Sequence, residues 1–234
     1  MKLIAFDTST EHTSIALDLD GERIGWTQHT PQQHARLLLG GIDRLLAEAG
    51  IGRTALDAVA FGCGPGSFTG VRLATAVAQG LSFGLDLPAV PVSTLAALAL
   101  AALPQATGLP VLALLDARMG EVYAGLYAAE GADGVRALMA EQVIPPAQLA
   151  LAVEGVLAVC GGGYRVYAGQ LPEALLARLR PLAGIEAPDA RAIARLARSK
   201  LAAGVQEPAL PVYLRDRVAQ TEAERRAARS PAIG

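Results

Sequence analysis

The chain has 234 residues, of which 52% are hydrophobic and 18% charged, and a formal net charge of −2. This is the composition of a folded chain able to bury a core, as one large domain or two small lobes, and it excludes a disordered polypeptide. It also lacks the basic field with which a protein that holds RNA by itself neutralises phosphates, so any nucleic-acid role is expected to be indirect.

In chain order, residues 3–6 form a short apolar run typical of a buried strand. The run ends in Asp7, and a turn over 8–13 leads to an alternating, returning strand at 14–19. Residues 32–49 place His34, Leu37, Leu38, Ile42, Leu45, Leu46 and Ala49 on one helical face, with Pro31 suited to the first turn and Gly50 to the C-terminal cap. A strand is expected at 56–61, a glycine-rich loop at 62–70 and a helix at 71–83. A strand at 89–92 and an Ala/Leu helix at 93–103 follow, and then a linker at 104–110. The first layout then recurs: an apolar run at 111–115 ends in Asp116, a turn covers 117–120 and a strand returns at 121–127. A strand at 156–160 runs into Gly161-Gly162-Gly163, and 172–179 and 190–203 are expected to be helical. A hairpin with an acid at its turn, repeated half a chain length later, points to two related lobes whose Asp-bearing turns face a shared cleft. The expected division is 1–104 and 105–218, with the last helix able to pack back on the first lobe. The charged, small-residue segment 219–234 is expected to be a disordered tail.

The loop Gly62-Cys63-Gly64-Pro65-Gly66-Ser67-Phe68-Thr69-Gly70 joins a strand to a helix, where backbone N–H groups attract anions. It lacks the Gly-Lys-Ser/Thr of a P-loop and the spacing of a dinucleotide fingerprint. Two readings stand: a tight turn that packs a helix close to a sheet, or an anion or partner site. Asp7, Thr8, Ser9, Gly64, Gly66, Ser67, Asp116 and Arg118 are the candidate residues of a nucleotide or phosphate cleft. The alternative for each Asp is to cap its own turn. In the helix after the loop, Gly70, Ala74, Ala78 and Ser82 recur every four residues, beside a row of Arg72, Ala76, Gly80 and Gly84. Such rows admit a second helix backbone. Gly40 and Gly41 in the earlier helix each cost roughly 1 kcal/mol of propensity, which close helix contact would explain. The two helices either pack on each other within the chain or form a partner interface built from Gly40, Gly41, Gly70, Ala74, Ala78 and Ser82.

Other chemistries are poorly supported. His12, His29 and His34 have no zinc spacing with another His or Cys, so no metal site is expected. Ser67 directly follows its glycine, which is not a nucleophile elbow. Cys63 and Cys160 are too few and too far apart for a disulfide framework and are expected to stay reduced, as in the cytoplasm. Cys63 is either a low-pKa thiol at a helix start or a small buried hydrophobe. The first residues reach Asp7 too soon for a signal peptide, and the longest apolar run, 95–103, is about half a membrane span. No membrane association is expected.

Four segments together resemble the bacterial TsaB (YeaZ) family: Ile4-Ala5-Phe6-Asp7-Thr8-Ser9; the loop through Val71-Arg72-Leu73-Ala74; Asp116-Ala117-Arg118-Met119-Gly120-Glu121-Val122-Tyr123; and Pro211-Val212-Tyr213-Leu214-Arg215. The resemblance runs from residue 1 to about 218. It implies an α/β actin/hexokinase/Hsp70-like fold of two related lobes, each with a central mixed sheet and flanking helices. It further implies a non-catalytic subunit that works with a catalytic paralogue, TsaD, and an ATPase, TsaE. That complex moves a threonylcarbamoyl group from its adenylate onto the adenosine beside the anticodon of tRNAs. Contact with tRNA would be indirect, and ATP or ADP would belong to the complex. A helix surface built for a paralogue can also pair with itself, so a homodimer is expected when the chain is alone. The paralogue's Val-Asn-His-x-x-Gly-His aligns with Val92-Ser93-Thr94-Leu95-Ala96-Ala97-Leu98, so Thr94 and Leu98 stand where two metal-binding histidines would be. A stand-alone kinase or ATPase using Asp7 and Asp116 is the competing reading, and a peptidase a third.

Overall fold

The computed structural model describes residues 1–205 and 207–215, so the tail expected at 219–234 lies outside the described residues. The first half runs β1 (Lys2–Asp7), β2 (His12–Leu19), β3 (Glu22–His29), α1 (His34–Glu48), β4 (Ala58–Gly62), α2 (Phe68–Leu85), β5 (Ala89–Val92) and α3 (Thr94–Ala106). The second runs β6 (Val111–Arg118), β7 (Glu121–Glu130), β8 (Gly134–Ala137), β9 (Gln142–Ile144), β10 (Leu157–Cys160), α4 (Gly162–Tyr167), α5 (Glu173–Leu176), β11 (Leu179–Pro181) and α6 (Ala190–Ala202).

Two sheets result. One has the order β3-β2-β1-β4-β5, and the other β11-β10-β6-β7-β8 with β9 also paired to β7. Read from the matching edge, the second order is β8-β7-β6-β10-β11: an antiparallel three-strand meander followed by two parallel strands, as in the first. The fold is thus the two-lobed actin/hexokinase-like α/β architecture. The central strands β1, β4, β6 and β10 are buried on both faces, which is why they read as unbroken apolar runs. Sequence reasoning missed β3 because this outer strand is half exposed and mixes Arg23, Gln28 and His29 with Ile24 and Trp26.

Helices α1 and α2 cover one face of the first sheet, where Leu38, Ile42, Leu45, Leu46, Ala74 and Ala78 pack on Phe6, Ile15 and Phe61. On the other face Ala190, Ile193, Ala194 and Ala197 of α6 meet Leu3, Ala5 and Ala60. Helix α3 divides its contacts: Ala97 and Leu100 face the first sheet, while Leu95, Leu98, Ala99, Ala102 and Ala106 face the second. A helix that is apolar all round is one buried all round, and α3 is the shared spine of the molecule. That packing also corrects the linker expected at 104–110. Pro104 lies inside α3, because burial of Ala102 and Ala106 outweighs the single backbone hydrogen bond that proline forgoes. Asp18, fully buried, is held between Arg23 and Arg198 and ties α6 to the first sheet.

The small-residue row of α2 is corrected too. Gly70, Ala74 and Ala78 are buried in this chain's own core, and Ser82 donates to the Leu87 carbonyl. Their smallness brings α2 close to the sheet, not to another molecule. Gly41 also faces inward, where a Cβ would lie 2.6 Å from Ile15 Cδ1 and 2.8 Å from Trp26. Gly40 alone of the pair is exposed, with nothing within 4 Å. The outward row of α2 lies two residues on, on nearly the opposite face: Arg72, Ala76 and Gly80, with Gly84 at its end.

These placements predict opposite effects in urea denaturation. Ala78→Leu overfills a fitted contact and should lower stability by about 1–3 kcal/mol. Gly40→Ala should raise it by roughly 0.5–1 kcal/mol, because the helix gains propensity and the new methyl meets open space. Equal effects from the two variants would refute the assignment of faces.

Candidate functional site

Between the lobes lies a cleft of about 900 Å³. The first lobe lines it with the turn after β1 (Ser9, Thr10, Glu11, His12), the start of α1 (Gln32, His34) and the start of α2 (Gly66–Gly70). The second contributes Asp116, Arg118 and Met119 at the β6–β7 turn, Arg165 and Val166 of α4, and Glu186. Tyr213, Leu214 and Arg215 close one side.

Of the expected cleft residues, Ser9, Gly66, Ser67, Asp116 and Arg118 line it; Asp7, Thr8 and Gly64 are buried beneath its floor. The chain's own backbone accounts for this. A Cβ on Gly62 would fall 1.8 Å from Asp7 Oδ2, one on Gly66 2.5 Å from the Ser9 carbonyl, and one on Gly70 1.8 Å from the Thr8 carbonyl. Thr8 Oγ1 donates to the Gly70 carbonyl at 2.7 Å, and the Ser67 amide donates to the Ser9 carbonyl at 2.7 Å. The glycine-rich loop is therefore seated on the β1 turn, and of the two readings the tight-packing one accounts for its glycines.

Asp7 is 0% exposed. Its Oδ1 accepts from the Ser9 amide and the Ser9 hydroxyl, both at 2.8 Å, as in an Asx turn. Its Oδ2 has no well-formed hydrogen bond, nor does the nearby Thr94 Oγ1. Burial pushes the Asp7 carboxyl up to about 6, against the pull of Ser9 and Thr94. A carboxyl sealed beneath the floor and held by Ser9 does not reach a phosphate-bound cation in the cleft.

Asp116 is differently placed. Its Oδ1 accepts from the Arg118 amide at 2.7 Å and from Tyr167 Oη at 3.0 Å, and its Oδ2 pairs with Arg118 Nη1 at 3.0 Å. Arg118 reaches across the cleft to Glu11 Oε1 at 2.9 Å. That bond, with one from His29, holds Glu11 below the usual carboxylate range. Arg165 pairs with Glu186 and Arg215 with Glu121. Each of the three cleft arginines thus faces an acid, and the cleft offers a balanced surface rather than a phosphate cradle.

Sequence reasoning missed Glu11, His12, His34, Arg165, Glu186 and Tyr213, which come together only through tertiary structure. All three histidines meet on this rim: His12 and His29 face each other across β2 and β3 with ring centroids 5.0 Å apart, and His34 Nδ1 lies 2.8 Å from Thr13 Oγ1. Burial is the main reason that His12 and His34 are held below the ordinary imidazole value. Among the described residues no three His, Cys, Asp or Glu side chains are grouped to hold a metal ion. Cys63 and Cys160 are buried free thiols pushed up to about 12 by desolvation, so Cys63 is the small hydrophobe and not the reactive thiol. Thr94 and Leu98, one turn apart at the start of α3, are both 0% exposed.

A family model described as "TsaD: tRNA N6-adenosine threonylcarbamoyltransferase" matches residues 28–223. The "tRNA threonylcarbamoyladenosine biosynthesis protein TsaB" of Haemophilus influenzae is 48% identical over 123 residues, 53% of this chain and 52% of that protein. The protein of the same name in Escherichia coli K12 is 43% identical over 123 residues, 53% of each. These matches span about half the length of the curated relatives. Over nearly the whole chain, the structure of "YeaZ from Pseudomonas aeruginosa" is similar at 40% identity and a TM-score of 0.84, covering 91% of this chain and 99% of that one.

The buried Asp7 predicts an inverted pH response. A carboxyl with a folded value of about 6 and an unfolded value of 3.8 binds its proton more tightly when folded. Its contribution to stability therefore grows as pH falls through 6 and is complete below 3.8, by up to about 3 kcal/mol. Asp7→Asn should remove this. In denaturant titrations, the stability of the unmodified chain relative to the variant should rise between pH 7.5 and 4; a constant difference would show that Asp7 is charged in the folded state.

Proposed function

Because this chain belongs to the bacterial TsaB (YeaZ) family, we propose that it is the non-catalytic, partner-binding subunit of a cytoplasmic complex that forms threonylcarbamoyladenosine in tRNA. In this reading the chemistry belongs to a TsaD-type paralogue assisted by a TsaE-type ATPase. The present chain contacts tRNA only through the complex and pairs with itself when the paralogue is absent.

The observation that carries the reading is at the start of α3. Where the paralogue's motif has two histidines, this chain has Thr94 and Leu98, and both are sealed in the core. Neither side chain supplies a useful ligand of the imidazole type, and neither faces the cleft. The same residues disfavour a metallopeptidase, and the burial of Asp7 disfavours a stand-alone kinase that would use Asp7 and Asp116 together.

The docking surface we propose is the outer face of α1 and α2. It carries Leu39, 48% exposed, and Phe83, 93% exposed, beside Gly40, Ala76 and Gly80, which leave space for another helix. Large exposed apolar side chains beside small ones make a surface that a complementary helix pair can cover.

Two experiments test this. The transfer of a threonylcarbamoyl group to tRNA by a catalytic paralogue should depend on this chain, and full activity without it would refute the subunit role. Phe83→Glu with Leu39→Glu should weaken affinity for the paralogue by roughly 10-fold or more, since interface aromatics carry a large share of binding energy. The melting temperature of the isolated chain should stay unchanged. Unaltered affinity would move the interface elsewhere.

A further inference from the structure

We infer that residues 207–215 form a clasp that, with the Glu11–Arg118 pair, holds the two lobes at their observed separation, and that Leu214 and Arg215 are its fastening to the second lobe. The segment leaves the end of α6, where Lys200 Nζ pairs with Glu207 Oε2 at 2.6 Å and donates to the Pro91 carbonyl at 2.9 Å. It then follows α2 in the opposite direction. Gln79 Nε2 donates to the Ala209 carbonyl at 2.7 Å. The Val212 amide donates to the Cys63 carbonyl at 2.7 Å, and the Val212 carbonyl occupies the space that a Cβ on Gly64 would need, 2.7 Å away. Tyr213 lies beside Phe68 with ring centroids 5.7 Å apart, and Arg72 ties the two: its guanidinium sits 3.7 Å over the Phe68 ring and its Nε donates to Tyr213 Oη at 2.9 Å.

Up to Tyr213 these partners belong to the first lobe or to α6, which packs on it. The next two residues change lobes. Leu214 packs at the edge of the second lobe's core, and Arg215 pairs with Glu121 of β7 and approaches the Arg118 carbonyl at 3.5 Å. Arg118 in turn reaches back to Glu11 of the first lobe. Two arginine–glutamate pairs, one from each side, thus converge on the β6–β7 turn. Its residues Arg118 and Met119 have φ of 61° and 54°, the left-handed backbone that a tight hairpin turn requires, which aims Arg118 at the cleft. Widening of the cleft then requires release of this clasp.

The test uses charge reversal in the full chain. Cysteines placed at Ala35 and Val166, which line the cleft from opposite lobes, carry spin labels; Cys63 and Cys160 are buried and stay unlabelled. Arg215→Glu should shift the interlobe distances to longer and broader values, and Glu121→Arg should do the same. The combination of the two should restore the original distribution. Backbone amides of 8–12 and 116–122 should exchange roughly 5- to 10-fold faster in each single variant and recover in the pair. Unchanged distances and exchange in both single variants would overturn the clasp, as would a double variant that stays open. If Arg215→Glu loses its cooperative melting transition, Arg215→Gln is judged by the same readouts.

Discussion

The structure depends on the close seating of the 62–70 loop on the turn after β1. Strands β1 and β4 are parallel neighbours, so the segments leaving their ends run side by side. No side chain fits between them: Gly62 meets the Asp7 carboxylate, Gly66 the Ser9 carbonyl and Gly70 the Thr8 carbonyl. Once this contact forms, α2 starts where Ser67 can cap it, and its first turn looks into the cleft. Asp7 is sealed by the same contact, which is why its carboxyl is pushed up in a chain with no other fully buried acid of that kind among the described residues except the arginine-paired Asp18.

The two lobes repeat one topology but use their turns differently. In the first, the acid after the central strand is buried and serves the loop beside it. In the second, Asp116 remains at the cleft and orients Arg118. The duplication therefore accounts for the architecture and not for a symmetric pair of catalytic acids. What crosses between the lobes is a set of ion pairs and the strand-like segment after α6, laid over a shared helix, α3, that contributes to both cores.

The small residues of α2 show how one pattern serves two ends. Their spacing gives close approach of a backbone, but spacing alone does not say whose. Gly70, Ala74 and Ala78 admit the chain's own sheet, while Ala76 and Gly80 on nearly the opposite face point outward with Phe83 beside them. The distinction is one of rotation about a helix axis by two residue steps, about 200° and so nearly the opposite face, and it is fixed by which face buries Val71 and Thr75.

The sequence by itself determined the buried strands, the long helices, the hairpin repeat that implies two lobes, and the family, because each of these is written in local periodicity or in contiguous motifs. Only the tertiary structure decided which glycines pack inward, that Asp7 leaves the cleft while Asp116 stays, and that Pro104 lies within a helix. It also brought Glu11, Arg165, Glu186 and Tyr213 to the cleft with Arg118, across sequence separations of up to about two hundred residues. Burial and the facing partner set those outcomes, and neither is a property of a segment taken alone.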